Sequence, residues 1–436
     1  MRVMKWSMIA LAVSAGTTQF AMASSQDDAK GFVEDSTLTS KTRMLYMNRD
    51  FRNGAGNISK NGPIVGGAPY KNGYREDWGI SQLFNYESGF TQGTVGVGVD
   101  AFAMGTVRLD GGAGRQGNGL FASRGNGSPE DTQSKLGGAV KFRISDTVLK
   151  YGNQFVASPV FSTDDSRLLP EVATGTLITS NEFKGLELSA GRFTALSSQT
   201  GMGRDSINGR DDFGVKQQGL TSANIAGATY QFTDNFVGGV AASDVEDYFK
   251  KQYVNLNYTL PITDSQALNF DFNGYRTSGQ GQERAGDVDN KIWSLAAAYS
   301  IGAHKFTVAH QRSSGDSGYA YGVDGGGTIF LANSIQYSDF NAKDERSWQA
   351  RYDLNMASYG VPGLSFMSRY VKGDNIDTGE SSSNKEHEFN FESKYVMQEG
   401  PAKDLSFRLR SAIYRSDYRS DTNDVRVIVE YPLNIL

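Results

Sequence analysis

Cysteine is absent from this 436-residue sequence, and proline is scarce, with 9 residues. The absence of cysteine excludes disulfides and thiolate metal sites. Beyond the first 23 residues, no apolar run approaches the 18 or more residues that a membrane-spanning helix requires. Only three histidines occur, at His304, His310 and His387, and they show no metal-ligand spacing. We therefore expect no metal site and no cofactor.

Signatures of catalysis and of nucleotide binding are also missing. No G-x-S-x-G sequence is present. The stretch "GAGRQG" at 112–117 has the spacing of a dinucleotide-binding loop, but no helical pattern follows it. A net charge of −5 argues against general nucleic-acid binding. The sequence predicts neither an enzyme nor a nucleic-acid binder, although a site built from Ser or Asp with His stays open as an alternative.

The start of the chain carries an export signal. Arg2 and Lys5 form a basic region, "MIALAVSAG" is a short apolar core, and "AMA" at 21–23 matches an A-x-A cleavage site. We therefore predict that residues 1–23 are a signal peptide cleaved after Ala23. Residues 24–436 are expected to form one exported domain.

Glycine and aromatic residues are abundant, with 51 Gly, 25 Phe and 21 Tyr. In "LSFRLRS" at 405–411, Phe407 and Leu409 would share one face of a strand, and Arg408 and Arg410 would share the other. The same alternation recurs along the chain, and this repetition favours strands over a helix. The recurring segments are 94–102, 137–145, 186–194, 267–275, 347–355, 387–395 and 425–431.

The connections between these segments alternate in length. Long segments such as 51–77 and 312–346 follow every second strand, and short turns such as "SDT" follow the others. One connection, near "DVED" at 244–247, is short where a long one is expected. Counting gives 18 strands, which is typical of an all-β, antiparallel up-and-down barrel in an outer membrane with both termini on the periplasmic side. A soluble β-sandwich or propeller explains neither the loop lengths nor the repeated apolar faces.

In such a barrel the apolar face of each strand meets lipid and the polar face lines the lumen. Arg408 and Arg410 are therefore predicted to point into the pore. Arginine stays protonated and binds carboxylates in a bidentate manner, so a row of arginines would attract anions. Pairing of each cation with a neighbouring acid is the alternative. Six further cations are predicted on the lumen face: Arg143, Lys150, Arg351, Arg369, Lys394 and Arg426.

Two long connections are more apolar than exposed loops should be. They are 155–174, which also carries Asp164, Asp165 and Arg167, and 328–340. An 18-stranded barrel is wide enough to hold an aqueous channel, so selectivity requires something folded inward. We predict that both segments fold into the lumen and narrow it. Counting 328–340 as a wall strand would break the up-and-down alternation.

The sequence also resembles the OprD-type substrate-specific porins of Gram-negative outer membranes, over essentially the whole mature chain. The resemblance is densest at 30–36, 87–102, 166–175, 330–340, 347–367, 400–410 and 431–436. It implies a monomeric 18-stranded channel that takes up small carboxylate-bearing nutrients. Some members of that family also admit carbapenem antibiotics.

The resemblance further implies a basic ladder on the lumen wall that faces a polar, acidic constriction. Its implied ladder positions are Arg49, Arg75, Arg167, Lys394, Arg408, Arg410 and Arg426. The implied constriction contains Ser334, Tyr337 and Asp339, to which the sequence of the first loop adds Asp164 and Asp165. The alternation alone already predicts Lys394, Arg408, Arg410 and Arg426 on the lumen face.

From these features we expect passive uptake of small carboxylates, amino acids or short peptides above all. Two alternatives remain: a channel for aromatic or other monocarboxylic acids, and a surface-binding protein in which conduction is secondary. The expected partners are these solutes together with outer-membrane lipid and lipopolysaccharide.

Overall fold

The computed structural model describes residues 26–57, 73–124, 127–206, 208–210 and 216–436. The predicted signal peptide lies outside the described residues. Within them, 18 strands form one closed antiparallel sheet, and two short hairpins lie apart from it. The strands are β1 (Thr37–Phe51), β2 (Tyr74–Glu87), β3 (Gly96–Asp110), β4 (Thr132–Ile144), β5 (Thr147–Gln154), β6 (Ala157–Ser158), β7 (Phe161–Ser162), β8 (Val172–Phe183), β9 (Leu186–Ser197), β10 (Asn208–Arg210), β11 (Lys216–Gly219), β12 (Ala223–Thr233), β13 (Phe236–Val245), β14 (Phe249–Thr263), β15 (Gln266–Gly279), β16 (Asp289–Ile301), β17 (His304–Ser314), β18 (Arg346–Asn355), β19 (Leu364–Ile376), β20 (Asn384–Val396), β21 (Ser406–Ser416) and β22 (Thr422–Asn434).

The barrel closes where its first and last strands meet. β1 pairs with β22 in antiparallel register from Thr39 opposite Asn434 to Phe51 opposite Thr422. Every wall strand pairs with the wall strand before and after it, so the predicted count of 18 is confirmed. Both described ends of the chain lie at the end of the barrel that carries the short turns. The hairpins β6–β7 and β10–β11 belong to loops 155–171 and 198–222 at the other, long-loop end.

Helix is nearly absent from the described part of the chain. It contains two short 3-10 helices, Gln26–Asp28 and Met356–Tyr359. Neither is long and apolar enough to cross a membrane.

The wall is apolar outside and polar inside. Phe407 and Leu409 are 46% and 42% exposed, whereas Ser406 beside them is 8% exposed. The same arrangement, with exposed apolar and buried polar side chains, recurs around the barrel. Lys251 and Gln311, for example, are fully buried on the inward face. Because successive side chains on a strand alternate between faces, each strand can meet lipid on one side and a polar interior on the other. Arg408 and Arg410 therefore share the inward face with Ser406, as predicted.

Apolar loop residues pack against the inner face of β9 and β12–β16. Val160 and Phe161 of loop 155–171 are fully buried, and the Phe161 ring stacks on Phe193 of β9 with centroids 4.4 Å apart. Loop 315–345 adds Tyr319 and Leu331 to the same cluster. The predicted inward folding is confirmed for 155–171 and for 328–340, and 328–340 is not a wall strand. Residues 172–174, which the prediction included in the first loop, instead begin wall strand β8. The wall of β18–β22 with β1 and β2 carries the charged residues instead.

Candidate functional site

The charged wall is organised in rows by the register of β18–β22, β1 and β2. One row contains Arg351, Arg369, Asn390, Ala412, Asp424, Arg49 and Arg75, each opposite the next. The next row toward the short-turn end contains Asp353, Met367, Glu392, Arg410, Arg426, Met47 and Asp77. A third row contains Ser365, Lys394, Arg408, Ile428 and Leu45. Neighbouring rows lie roughly 7 Å apart along the strands.

Arg408 and Arg410 share a single carboxylate. Arg408 Nη2 lies 2.8 Å from Glu392 Oε2, and Arg410 Nε lies 3.1 Å from the same oxygen. Lys394 lies directly opposite Arg408 and makes no ion pair with any described residue. Pairing with a neighbouring acid, the alternative raised by the sequence, therefore holds in part. Three cations with one carboxylate leave this patch of wall positively charged.

Asp424 likewise forms ion pairs with two arginines, Arg49 and Arg426. Arg426 Nε is 2.7 Å from Asp424 Oδ1, and Arg49 Nε is 2.7 Å from Asp424 Oδ2. Gln336 of loop 315–345 donates its side-chain amide to Asp424 Oδ1 at 2.8 Å and accepts from Arg426 Nη2 at its backbone carbonyl at 2.8 Å. These contacts fix the direction of both guanidinium groups and tie the inward loop to the seam of the barrel.

Arg75 and Arg167 are held by the loop between β3 and β4, for which the sequence does not predict a place in the lumen. Arg75 Nη1 donates to the carbonyl of Gly117 at 3.1 Å, and Arg167 Nε donates to the carbonyl of Asn118 at 2.8 Å. A side chain at position 117 would come within 2.9 Å of Arg75 Nε, so glycine allows this approach. The described residues of loop 111–131, which are 111–124 and 127–131, therefore include a further inward segment.

Loop 111–131 folds inward through a small apolar anchor. Leu120 and Phe121 are buried against Leu45, Met47 and Leu168. Two adjacent apolar residues in a glycine-rich segment are the sequence signal that could have revealed this placement. Burial, followed by the nearby charges of Arg426 and Arg49, lowers the pKa of Arg167 to about 10. Arg167 thus joins the arginines of the wall, although it belongs to loop 155–171.

Asp339 forms the acidic side of the site. Its Oδ1 accepts a hydrogen bond from Ser334 Oγ at 2.6 Å, and its Oδ2 accepts one from the Tyr321 hydroxyl at 2.5 Å. Burial raises the pKa of Asp339. The charge of Asp339, then burial and the more distant charge of Asp164, raise the pKa of Tyr321. Asp339, Tyr321 and Asp164 therefore lie within one electronegative region.

Tyr337 stands between the two charged regions. Its ring centroid lies 5.2 Å from Cζ of Arg49, and its hydroxyl accepts from Thr422 Oγ1 at 3.1 Å. The backbone N–H groups of Tyr337 and Ser338 donate to Glu388 of β20 at 3.1 and 2.8 Å. Two backbone hydrogen bonds donated to one wall carboxylate thus fix the tip of loop 315–345.

Asp164 and Asp165, adjacent in sequence, have different environments. Asp165 makes ion pairs with Lys41 at 2.7 Å and Arg43 at 2.8 Å, so its charge is already compensated by β1. Asp165 is therefore less available than Asp164 to the ammonium group of a solute. Asp164 accepts from Ser166 and makes no ion pair among the described residues. The described residues also contain no ion pair between Arg167 and Asp339.

Glu171 joins loop 155–171 to loop 315–345. Its Oε2 accepts the backbone N–H of Asp164 at 2.8 Å and that of Gly326 at 2.9 Å. Burial, followed by the charge of Asp164, raises the pKa of Glu171 to about 8. This carboxyl group was not singled out from the sequence, because its role depends on two loops that are distant along the chain.

Arg143 and Lys150 face the lumen but stand apart from the charged wall. Lys150 forms an ion pair with Asp100 of β3. Arg143 Nε donates to Gln26 Oε1 at 2.8 Å, and its Cζ lies 4.2 Å from the ring centroid of Phe90. Both cations therefore have partners near the short-turn end, where the first described residues of the chain pack.

Comparison with known proteins agrees with this architecture. Residues 30–435 match the model of the family described as "outer membrane porin, OprD family". The chain is 47% identical to Porin D of Pseudomonas aeruginosa over the full length of both proteins. It is 43% identical to the crystal structure of P. aeruginosa OprD, with a TM-score of 0.79 over 95% of this chain and 100% of that one. The crystal structure of P. aeruginosa OpdK with vanillate is 31% identical, with a TM-score of 0.81 over 93% of this chain and 100% of that one.

A family match over almost the entire described chain, together with a closed 18-stranded barrel, leads to one assignment. Members of this family are channels rather than enzymes, and they reside in the outer membrane. The chain belongs to the OprD family of outer-membrane porins.

Proposed function

We propose that this porin mediates passive, substrate-specific uptake of small carboxylate-bearing solutes, with amino acids and short peptides as the leading class. The observation that supports this most is the series of arginines on one wall, facing a loop that carries Asp339. The proposed ladder consists of Arg49, Arg75, Arg167, Lys394, Arg408, Arg410 and Arg426. The proposed constriction consists of Ser334, Tyr337, Asp339, Asp164 and Asp165, the last of which is already paired with Lys41 and Arg43.

A carboxylate would move along the ladder by exchanging one guanidinium for the next. Rows of the wall are roughly 7 Å apart, which a small carboxylate can span while it changes partners. Glu392 and Asp424 each compensate part of two arginines. Conduction requires binding that is weak and spread over several sites, because a deep well would trap the solute. Because Glu392 and Asp424 partly neutralise these arginines, they weaken the binding of a passing carboxylate.

A zwitterion would satisfy both sides of the pathway. Its carboxylate would follow the arginines while its ammonium group approaches Asp339 and Asp164, neither of which makes an ion pair with a described residue. Opposite charges on the two sides of a narrow passage would favour solutes that carry both charges at the right separation. A carbapenem, which also bears a carboxylate, would use the same wall. Each barrel encloses its own pathway, so the channel would work as a monomer.

Aromatic monocarboxylates are the second candidate class. The related OpdK structure contains vanillate, an aromatic carboxylate, and Tyr337 offers a ring beside Arg49. Such a solute would need the ladder but not Asp339. A surface-binding role with secondary conduction remains the alternative of a different kind, and absence of solute flux through the purified protein would favour it.

Uptake measurements separate these classes. The full mature chain would be expressed in a porin-deficient strain and supplied with radiolabelled lysine, a neutral amino acid, vanillate, and the amide of each. We expect each carboxylate to enter faster than its amide, and the amino acids to enter faster than vanillate. Equal uptake of acids and amides would contradict the proposal. Faster entry of vanillate than of both amino acids would favour the second class.

A further inference from the structure

The outer surface of the barrel carries five basic residues near the long-loop end of five adjacent strands. We call them the basic belt: Arg276, Lys291, Arg312, Arg346 and Lys372. All five are exposed, and their strand neighbours are buried. Arg276, for example, lies between Tyr275 at 4% and Thr277 at 0% exposure. Strand alternation therefore directs the belt away from the lumen, and no ladder residue belongs to it.

Like charges lie directly opposite each other within the belt. Arg276 is the cross-strand partner of Lys291, and Arg312 is the cross-strand partner of Arg346. Such pairs are unfavourable unless an anion lies between them. Arg346 is compensated by Asp374 at 2.9 Å, whereas the other four make no ion pair with a described residue. The arrangement is therefore a site for an anion outside the chain.

Aromatic side chains set the height of the belt. Trp293 is the cross-strand partner of Arg312, and Trp348 is that of Lys372. Trp348 is 60% exposed on the outer face, as expected for the aromatic girdle that marks a membrane interface. The basic belt is level with this girdle, so it lies at the headgroups. Because the long loops of such barrels are extracellular, these headgroups belong to the outer leaflet.

The two cation–cation pairs distinguish the belt from the rest of the outer surface near the long-loop end. Other outward-facing cations there have no cation opposite them: Arg192 lies opposite Thr176 and Asn224, and Lys250 lies opposite Ser278 and Asp244. Among the described residues, paired outward cations therefore occur at the belt and point to a local binding site.

A groove lies beside the first pair of the belt. It has a volume of about 440 Å³, and its outer lining includes Gln252, Val254, Gly274, Arg276, Lys291 and Trp293. Gly274 contributes no side chain and lies directly opposite Trp293, on the same strand face as Arg276. An apolar furrow immediately beside two cations fits a molecule with a phosphate and an acyl chain.

We propose that the basic belt and this groove bind a phosphorylated glycolipid of the outer leaflet, of the lipid A type. The pairs Arg276/Lys291 and Arg312/Arg346 bind its phosphates, and one acyl chain lies in the groove beside Gly274. Clusters of basic residues at a membrane surface recognise anionic headgroups in this way. The site is separate from the solute pathway, because none of its residues faces the lumen.

Native mass spectrometry of the full chain in detergent, with defined lipids added, tests this proposal. The lipids are bis-phosphorylated lipid A, its dephosphorylated form and phosphatidylglycerol. The variants are Arg276→Gln with Lys291→Gln, the charge-preserving Arg276→Lys, and a control with Lys184→Gln and Lys403→Gln in exposed turns at the opposite end. Ion conductance of each protein in a planar bilayer verifies that the barrel is folded.

We expect wild type, Arg276→Lys and the control to retain bis-phosphorylated lipid A in preference to both other lipids. The Arg276→Gln, Lys291→Gln variant should bind it at least about tenfold more weakly while conducting like wild type. Equal retention of dephosphorylated lipid A or phosphatidylglycerol by wild type would overturn the proposal. An equal loss in the control would also overturn it, as would undiminished binding by a conducting Arg276→Gln, Lys291→Gln variant.

Discussion

Arg49 on the first wall strand and Asp424 on the last lie directly opposite each other where the barrel closes, with Nε and Oδ2 2.7 Å apart. The same carboxylate accepts from Arg426 at 2.7 Å and from Gln336 at 2.8 Å. One buried acid thus orients two arginines of the proposed ladder and anchors an inward loop. It also limits how strongly those arginines attract a passing anion.

Replacing this acid should therefore increase anion selectivity. In Asp424→Asn the two guanidinium groups lose a shared, buried counter-charge, and a charge-assisted contact is worth about 1.5–3 kcal/mol. We expect the anion-to-cation permeability ratio, from reversal potentials in asymmetric KCl, to rise roughly tenfold. Asp404→Asn, in an exposed turn at the short-turn end, is the matched control and should leave the ratio unchanged. An unchanged permeability ratio in Asp424→Asn would show that Arg49 and Arg426 do not contribute to anion conduction.

Asp339 should control uptake of solutes that carry an ammonium group. Asp339→Asn removes the charge but preserves one hydrogen-bond acceptor for Ser334 or Tyr321. We expect uptake of lysine and neutral amino acids to fall by more than uptake of plain monocarboxylates, because only the amino acids bear an ammonium group. An equal fall for both solute classes would assign Asp339 a purely structural role.

The raised pKa of Asp339 adds a pH dependence to this prediction. As the pH falls, Asp339 takes up its proton before an ordinary aspartate would. Wild-type preference for ammonium-bearing solutes should therefore weaken over a pH range above that in which an ordinary aspartate titrates, and the Asp339→Asn variant should lack this change. Uptake ratios measured across that pH range in both proteins provide the comparison.

Loss of the hydrogen bonds between Glu388 and the tip of loop 315–345 should widen the channel. Glu388→Ala removes the acceptor for the N–H groups of Tyr337 and Ser338. We expect higher single-channel conductance together with weaker discrimination between solutes, as we also expect when 328–340 is shortened. Glu399→Ala, in an exposed turn at the other end, is the control. Wild-type conductance with an intact substrate ranking in both loop variants would show that this loop is not the filter.

Glu171 should make the junction of the inward loops sensitive to alkaline pH. Because its pKa is raised to about 8, the folded channel favours the protonated form. The stability it contributes is complete below the ordinary glutamate pKa of about 4.3, and it is lost as the pH rises through about 8. We expect single-channel current noise to increase above that pH in wild type and to stay constant in Glu171→Gln. Identical noise profiles would exclude Glu171 from the junction.

The barrel itself could be predicted from sequence because its rules are local. Alternation with a period of two identifies each strand and its faces, so Arg408 and Arg410 could be placed in the lumen without knowledge of their neighbours. The alternating loop lengths then gave the strand count and the position of the termini. Apolar residues within 155–174 were enough to indicate inward folding.

The ion pairs of the site could not be predicted, because they depend on contacts between distant segments. Glu392 meets Arg410 only through the register of β20 with β21, and one residue of slippage would direct it outward. The pairing of Asp165 with Lys41 and Arg43 has no sequence signal, because those two residues lie far away along the chain. Loop 111–131 was missed because only Leu120 and Phe121 signal its burial.

The central claim, that the wall attracts carboxylates by its positive charge, is tested most directly at Arg408 and Arg410. The measurement is the ratio of uptake of an amino acid to uptake of its amide, in Arg408→Gln with Arg410→Gln. This variant leaves Glu392 without its two arginine partners, so that Lys394 and Glu392 make the patch neutral. Adding Glu392→Gln removes the carboxylate and restores a net positive charge. Lys184→Gln with Lys403→Gln is the control for loss of two positive charges elsewhere.

A charge-assisted contact is worth about 1.5–3 kcal/mol, so the ratio should fall roughly tenfold or more in the double variant. It should recover in part when Glu392→Gln is added, and it should stay at the wild-type value in the control. A wild-type ratio in a folded, conducting double variant would contradict the account.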